Sequence, residues 1–164
     1  MEISSDREFM NNPFMARAIQ LSMDGAHSGL GGPFGAVIVK DGNVVAEGVN
    51  RVTSTNDPTA HAEVLAIRQA CEKLGVFELK DCELYTSCEP CPMCLGAIYW
   101  ARVARIYFAN TAQDAATIGF DDSFIYTQLK LSPSLRSIPT IQMMREEALA
   151  AFRAWAEKVD KIRY

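Results

Sequence analysis

A layered α/β domain is what the sequence predicts, and three observations carry it. Two β-rich runs flank Asp41-Gly42, helix-forming and strand-like stretches alternate from about residue 60 to residue 109, and 164 residues fit a single domain. A chain of that length buries roughly 70% of the surface its unfolded form would expose, so one well-packed core is expected. Residues 12–28 carry Phe14, Ala18, Leu21 and Met23 near helical spacing and end in the glycine-rich stretch from Gly25 to Gly32, which predicts a first helix. Residues 35–40 and 43–50 read as two antiparallel strands, because Asp41-Gly42 suits the positive backbone angles of a tight hairpin turn. After the turn-prone run 53–58, residues 60–74 are rich in helix formers and stop at Gly75. Residues 82–87 predict a strand, 92–101 a helix with Pro92 suited to its first position, and 103–109 a further strand parallel to the preceding one. Beyond them the pattern predicts a short helix at 112–118, loops through Pro133, a strand near 138–143 and a last helix at about 145–159.

Composition narrows the function classes. With 49% hydrophobic and 22% charged residues, no repeat and no low-complexity run, the chain reads as an ordinary globular protein. Its most apolar stretch, 93–109, is short and cut by Arg102 and Arg105, so no membrane span is expected. The N-terminus carries Glu2, Asp6 and Glu8 where a secretory signal needs a basic start and an apolar run, which points to the cytoplasm. In that reducing compartment five cysteines, three of them within 88–94, read as thiols or metal ligands. A net charge of −4 favours a small substrate over a polyanion, which would need a local basic patch.

The chemistry concentrates in two short segments. Cys91 and Cys94, three apart across a helix start, lie on one face and could grip a single ion, with Pro92 fixing that start. Of the two histidines, His27 lies in a Gly/Ser turn and His61 at the start of the second long helix; His61 is the natural third ligand. Two thiolates and an imidazole suit zinc, and three protein ligands leave the fourth position for water. Zinc lowers the pKa of such a water from about 15.7 toward 7. Glu63, two residues on from His61, is then placed to take the water proton and hand it to a ring nitrogen and to departing ammonia. A spacing of two puts His61 and Glu63 on roughly opposite helix faces, so the metal must sit off the helix end, where free N–H groups and the dipole favour anionic ligands. A closed site made by Cys88, Cys91, Cys94 and His61 would have no water position and no use for Glu63; Cys88 is read as support or core, and His27, Cys71 and Cys82 as structural.

The order His-x-Glu followed by Pro-Cys-x-x-Cys is the signature of zinc deaminases acting on nucleobases. Gly31-Gly32-Pro33-Phe34-Gly35-Ala36-Val37-Ile38-Val39, Asn56-Asp57-Pro58-Thr59-Ala60-His61-Ala62-Glu63-Val64 and Thr86-Ser87-Cys88-Glu89-Pro90-Cys91-Pro92-Met93-Cys94 make the chain resemble the cytidine deaminase superfamily over nearly its full length. Ile118-Gly119-Phe120-Asp121-Asp122-Ser123-Phe124, with the terminal Tyr164, make it similar to the bacterial guanine deaminases within that superfamily. That resemblance implies a three-layer α/β/α fold with a mixed five-stranded sheet between helices, one deaminase domain over 1–164, one zinc ion per active site, and a homodimer. In the dimer a C-terminal segment of about 145–164 can be exchanged to close the partner's site. It also implies that Asn50 hydrogen-bonds a purine base, that Asp122 faces the reacting amino group, that Tyr164 covers the pocket, and that Phe34, Ala62 and Trp100 line it.

Asp122 has a physical argument of its own. Guanine presents an amino group beside a protonated ring nitrogen, two donors that a carboxylate suits, whereas adenine and cytosine present an unprotonated nitrogen there. A buried carboxylate facing that acceptor is a costly mispairing. The plainer reading of Asp121-Asp122, a turn or a helix cap, stays open at this point. For the activity, hydrolytic deamination of guanine to xanthine and ammonia leads. The alternatives are a tRNA adenosine deaminase, for which Lys40, Arg102 and Arg105 are few basic residues, a deaminase of guanosine or cytosine, and a zinc-stabilised binding module without catalysis, which would leave Glu63 idle.

Overall fold

The computed structural model describes residues 11–164. The acidic start that argued against a secretory signal lies outside the described residues. Helix α1, Pro13–His27, begins where Asn12 accepts hydrogen bonds at 3.0 Å from the backbone N–H groups of both Phe14 and Met15, with Pro13 at the first position. Strands β1, Gly35–Lys40, and β2, Asn43–Val49, pair antiparallel around Asp41 and Gly42, whose φ angles of 49° and 72° are those a two-residue hairpin requires. A one-turn helix α2, Val52–Thr55, leads to helix α3, Ala62–Leu74. Strand β3, Cys82–Cys88, lies antiparallel to β1, and helix α4, Pro92–Ala101, crosses over to β4, Arg105–Asn110, which runs parallel to β3. The sheet order is β2-β1-β3-β4.

Both faces of this sheet are covered, which is why β1 is a continuous apolar run and not an alternating one. Val37 and Val39 point to α1, forming a core with Ala18, Leu21 and Tyr85. Ala36 and Ile38 point the other way, into a larger core with Ala62, Ala66, Ile67 and Ala70 of α3, Ile98 and Ala101 of α4, and Leu84 of β3. The elements expected from the sequence up to β4 are thus present. No helix is long and apolar enough to cross a membrane among the described residues.

Helix α5, Ala112–Thr117, opens with a capping box in which Thr111 and Asp114 exchange side-chain and backbone bonds. The chain divides into two compact units after Asp122. The second contains α6, Ser123–Lys130, a 3₁₀ turn at Pro133–Leu135 and α7, Arg145–Glu157. Helix α6 stands where loops were expected. The expected fifth strand is not there: the sheet has four strands among the described residues, and residues 138–143 take part in no pairing. A strand exists through its neighbour's hydrogen bonds, and alternating apolar residues without such a neighbour do not make one.

Candidate active site and metal centre

Two helix starts meet over the larger core. His61 is the residue preceding α3 and Cys91 the residue preceding α4, both in extended conformation and neither spending its side chain on capping its own helix. The approach to His61 is stiffened by Asp57, whose carboxylate accepts from the Thr59 N–H at 2.8 Å and hydroxyl at 2.7 Å, and by the Arg51 N–H donating to the Ala60 carbonyl at 2.9 Å. Helix α3 lies directly on β2 at Gly48, where a Cβ atom would stand 2.0 Å from the Ala62 carbonyl oxygen. Glycine is therefore what permits the approach that sets His61, Ala62 and Glu63.

Nδ1 of His61 lies 3.5 Å from Cys91 Sγ and 3.4 Å from Cys94 Sγ, and the three ligand atoms fall within 4.8 Å of one another. A tetrahedral zinc with bonds of about 2.0–2.1 Å to nitrogen and about 2.3 Å to sulfur requires N···S separations near 3.5 Å, so the donor set and its spacing fit that ion. Cys88 does not join it: its thiol donates to the Thr111 carbonyl at 3.6 Å, and burial pushes it up to about 11. The closed four-ligand alternative is thereby removed. In the cluster itself Cys91 is pulled down to about 4, chiefly by the hydrogen bond from the Cys94 thiol and then by His61, while Cys94, giving up that bond, moves upward. His61 is raised, first by its bond to Cys91.

Glu63 is 6% exposed, and its Oε2 stands 3.5 Å from Cys94 Sγ. Because His61 lies outside the helix, the spacing of two that would separate their side chains on a regular helix does not do so here. Burial is the main force raising the Glu63 carboxyl, which brings it nearer the range where it can take and return a proton.

Asn50, buried at the end of β2, is held by its oxygen, which accepts from the backbone N–H groups of Gly32 and Val52 at 3.2 Å each. Its amide nitrogen is thereby oriented as the donor group. Asn50 N–H also donates to the Phe34 carbonyl at 3.0 Å, and the Phe34 ring meets Phe120 edge-on with centroids 5.0 Å apart. Asp122 is half-buried, and its carboxyl is raised first by burial and then by the charge on Cys91, which puts it within electrostatic reach of the cluster. Ala62 is wholly buried in the larger core. Trp100 is not brought to the metal ligands: it is 69% exposed, six residues beyond Cys94, roughly 9 Å along α4. Tyr164, 71% exposed, belongs to the second unit. The sequence alone gives no role to Phe120, Gly31 or Gly32; the one available signal is an aromatic set between Gly119 and the acidic pair Asp121-Asp122.

Residues 10–110 match the family described as the cytidine and deoxycytidylate deaminase zinc-binding region. The chain is 56% identical over 151 residues to a guanine deaminase of Bacillus subtilis (strain 168), covering 92% of this chain and 97% of that one. The X-ray structure of guanine deaminase from Bacillus subtilis superposes with a TM-score of 0.91 at 55% identity, over 94% of this chain and 99% of the other. A tRNA-specific adenosine deaminase of Agrobacterium fabrum (strain C58) is 51% identical over 82 residues, which span 50% of this chain and 53% of that protein.

Proposed function

The chain belongs to the cytidine and deoxycytidylate deaminase zinc-binding family, and we propose on that footing that it hydrolyses guanine to xanthine and ammonia with one zinc ion per site. The observation that carries the chemistry is a His/Cys/Cys set at tetrahedral spacing with a buried, non-ligating carboxylate 3.5 Å from one of its sulfurs. His61, Cys91 and Cys94 would hold the metal, which supplies a water acidified from about 15.7 toward 7. Glu63 takes one proton of the attacking water and delivers it to the ring nitrogen next to the reacting carbon, then takes the remaining proton of the added hydroxyl and delivers it to the amino group, which leaves as ammonia while the carbonyl forms. A binding module without catalysis has no use for such a carboxylate.

Substrate choice is read from Asn50 and Asp122. The Asn50 amide donates to an acceptor on the purine, and Asp122 accepts from the amino group and the neighbouring ring N–H of guanine, a pair of donors that adenine and cytosine do not offer. Phe34 and Ala62 contribute apolar surface on the same side of the sheet, Trp100 is a further apolar part of the pocket, and Tyr164 covers it from the exchanged C-terminal segment of a homodimer. No residue of the second unit is buried within its own chain, and Ile138, Ile141, Met143 and Phe152 are 74–79% exposed, which supports exchange of the segment from about residue 145 as its cover. All five cysteines are free thiols, in keeping with action in the reducing cytoplasm.

Ammonia release by the zinc-loaded protein, measured in parallel on guanine, guanosine, adenine, cytosine and cytidine, tests the reading. Turnover confined to guanine is expected. Turnover of none would leave the metal site standing and move a tRNA adenosine to the front.

A further inference from the structure

We propose that Phe120 is a positioning residue for guanine recognition: resting on Phe34 and against Gly32, it fixes Asp122 relative to the Asn50 amide. The proposal rests on the reading of Asn50 and Asp122 as the groups that contact the base.

Two neighbouring glycines carry the argument. The Gly32 N–H donates to the Asn50 side-chain oxygen at 3.2 Å, and a Cβ on Gly31 would stand 2.3 Å from that oxygen. One side of this dipeptide therefore sets the Asn50 amide. On the other side, a Cβ on Gly32 would lie 3.0 Å from both Phe120 Cζ and Phe34 Cε2, so the two rings close over a position that has no room for a side chain. The rings themselves meet at 88° with centroids 5.0 Å apart, an arrangement aromatic pairs favour beyond simple burial. Phe34 is tied in turn to Asn50, whose N–H donates to the Phe34 carbonyl at 3.0 Å.

Phe120 is 47% exposed, so burial alone does not account for its placement. Its backbone N–H donates to the Ala115 carbonyl at 3.0 Å, and it follows Gly119 at φ 94°. Asp122 is two residues further on, at most about 7 Å of chain, and directly precedes α6 in sequence. The ring contact thus ties the segment that carries Asp122 to the loop that holds Asn50. A hydroxyl added at Cζ would push into Gly32, which makes leucine and not tyrosine the conservative replacement.

The test uses the full chain, zinc-loaded, in a Glu63→Gln background where turnover is blocked, and reads the guanine Kd together with zinc content. Phe120→Ala should raise Kd about three- to tenfold and Phe120→Leu by less, both with zinc content unchanged. With Asp122→Asn already present, Phe120→Ala should add less than about twofold, because a residue acting through Asp122 has nothing left to position. An unchanged Kd, or a rise that persists in full beside Asp122→Asn, overturns the proposal while the proposed activity stands. Absence of guanine binding by the Glu63→Gln protein together with absence of guanine turnover by the unaltered chain removes both.

Discussion

Glu63 is the residue whose environment is least like that of an ordinary glutamate. Burial works against its charge, its Oε2 lies 3.5 Å from Cys94 Sγ, and it stands beside the His/Cys/Cys set without belonging to it. Replacing it with glutamine keeps its shape and removes its ability to carry a proton. Glu63→Gln should lower kcat by about 10²–10⁴-fold with zinc content near one per chain, read by ammonia release and metal analysis on the same preparation. Loss of zinc in that variant would instead make Glu63 part of the metal-binding set. The ligands and Glu63 were legible in the sequence because their chemistry depends on short spacings, two residues from His61 to Glu63 and three from Cys91 to Cys94. Phe120 was not, since its meaning lies in contacts with Gly32 and Phe34, more than eighty residues away along the chain, and no local pattern records such a pairing.

At the scale of elements, the site exists because α3 and α4 present their first turns over the same core. Their anchors are small residues: Ala62, Ala66, Ala70 and Ala101 all lie in that core. The closest approach is at Gly48, where an added methyl group would meet the Ala62 carbonyl oxygen at 2.0 Å and the Ala66 nitrogen at 2.8 Å. Backbone cannot move aside as a side chain can, so Gly48→Ala must lift the start of α3 from β2. A destabilisation of about 1–3 kcal/mol is expected, with weakened zinc retention because His61 moves with the helix, measured by urea unfolding and by competition with a chelator. A variant of unchanged stability and metal affinity would show that α3 has slack at that point. The elements around this junction were legible from the glycines that follow the helix ends, Gly29 after α1 and Gly75 after α3, from Pro92 and from the Asp41-Gly42 turn, although Gly25, read as part of the first stop, lies within α1. Those beyond it were less so. Helix α6 has the sequence SFIYTQLK, in which Phe, Ile, Tyr and Thr favour strands as much as helices, and the short apolar stretch at 138–143 reads as a strand although no partner pairs with it.

The whole molecule presents an asymmetry of burial. The buried residues of the two cores all lie between Ala18 and Ala101, and from Ser123 onward no residue is buried. A unit of that kind leaves apolar side chains such as Ile138, Ile141, Phe152 and Trp155 in contact with water, and isolated segments with so little core do not hold a fold by themselves. In the proposed homodimer a second copy would cover these side chains, and the seven residues from the end of α7, Arg145–Glu157, to Tyr164 would carry the terminal aromatic as the proposed cover over a base. A default chain terminus is frayed and dispensable. Removing Arg163 and Tyr164 therefore separates the two possibilities. With the tail as cover, the shortened protein keeps its zinc and its oligomeric state by light scattering, while guanine turnover falls by about tenfold or more, since an open pocket admits water and holds the base less well. Turnover equal to that of the full chain, at the same zinc content, would show that the last two residues close nothing, and the selection of guanine would then rest on Asn50 and Asp122 alone.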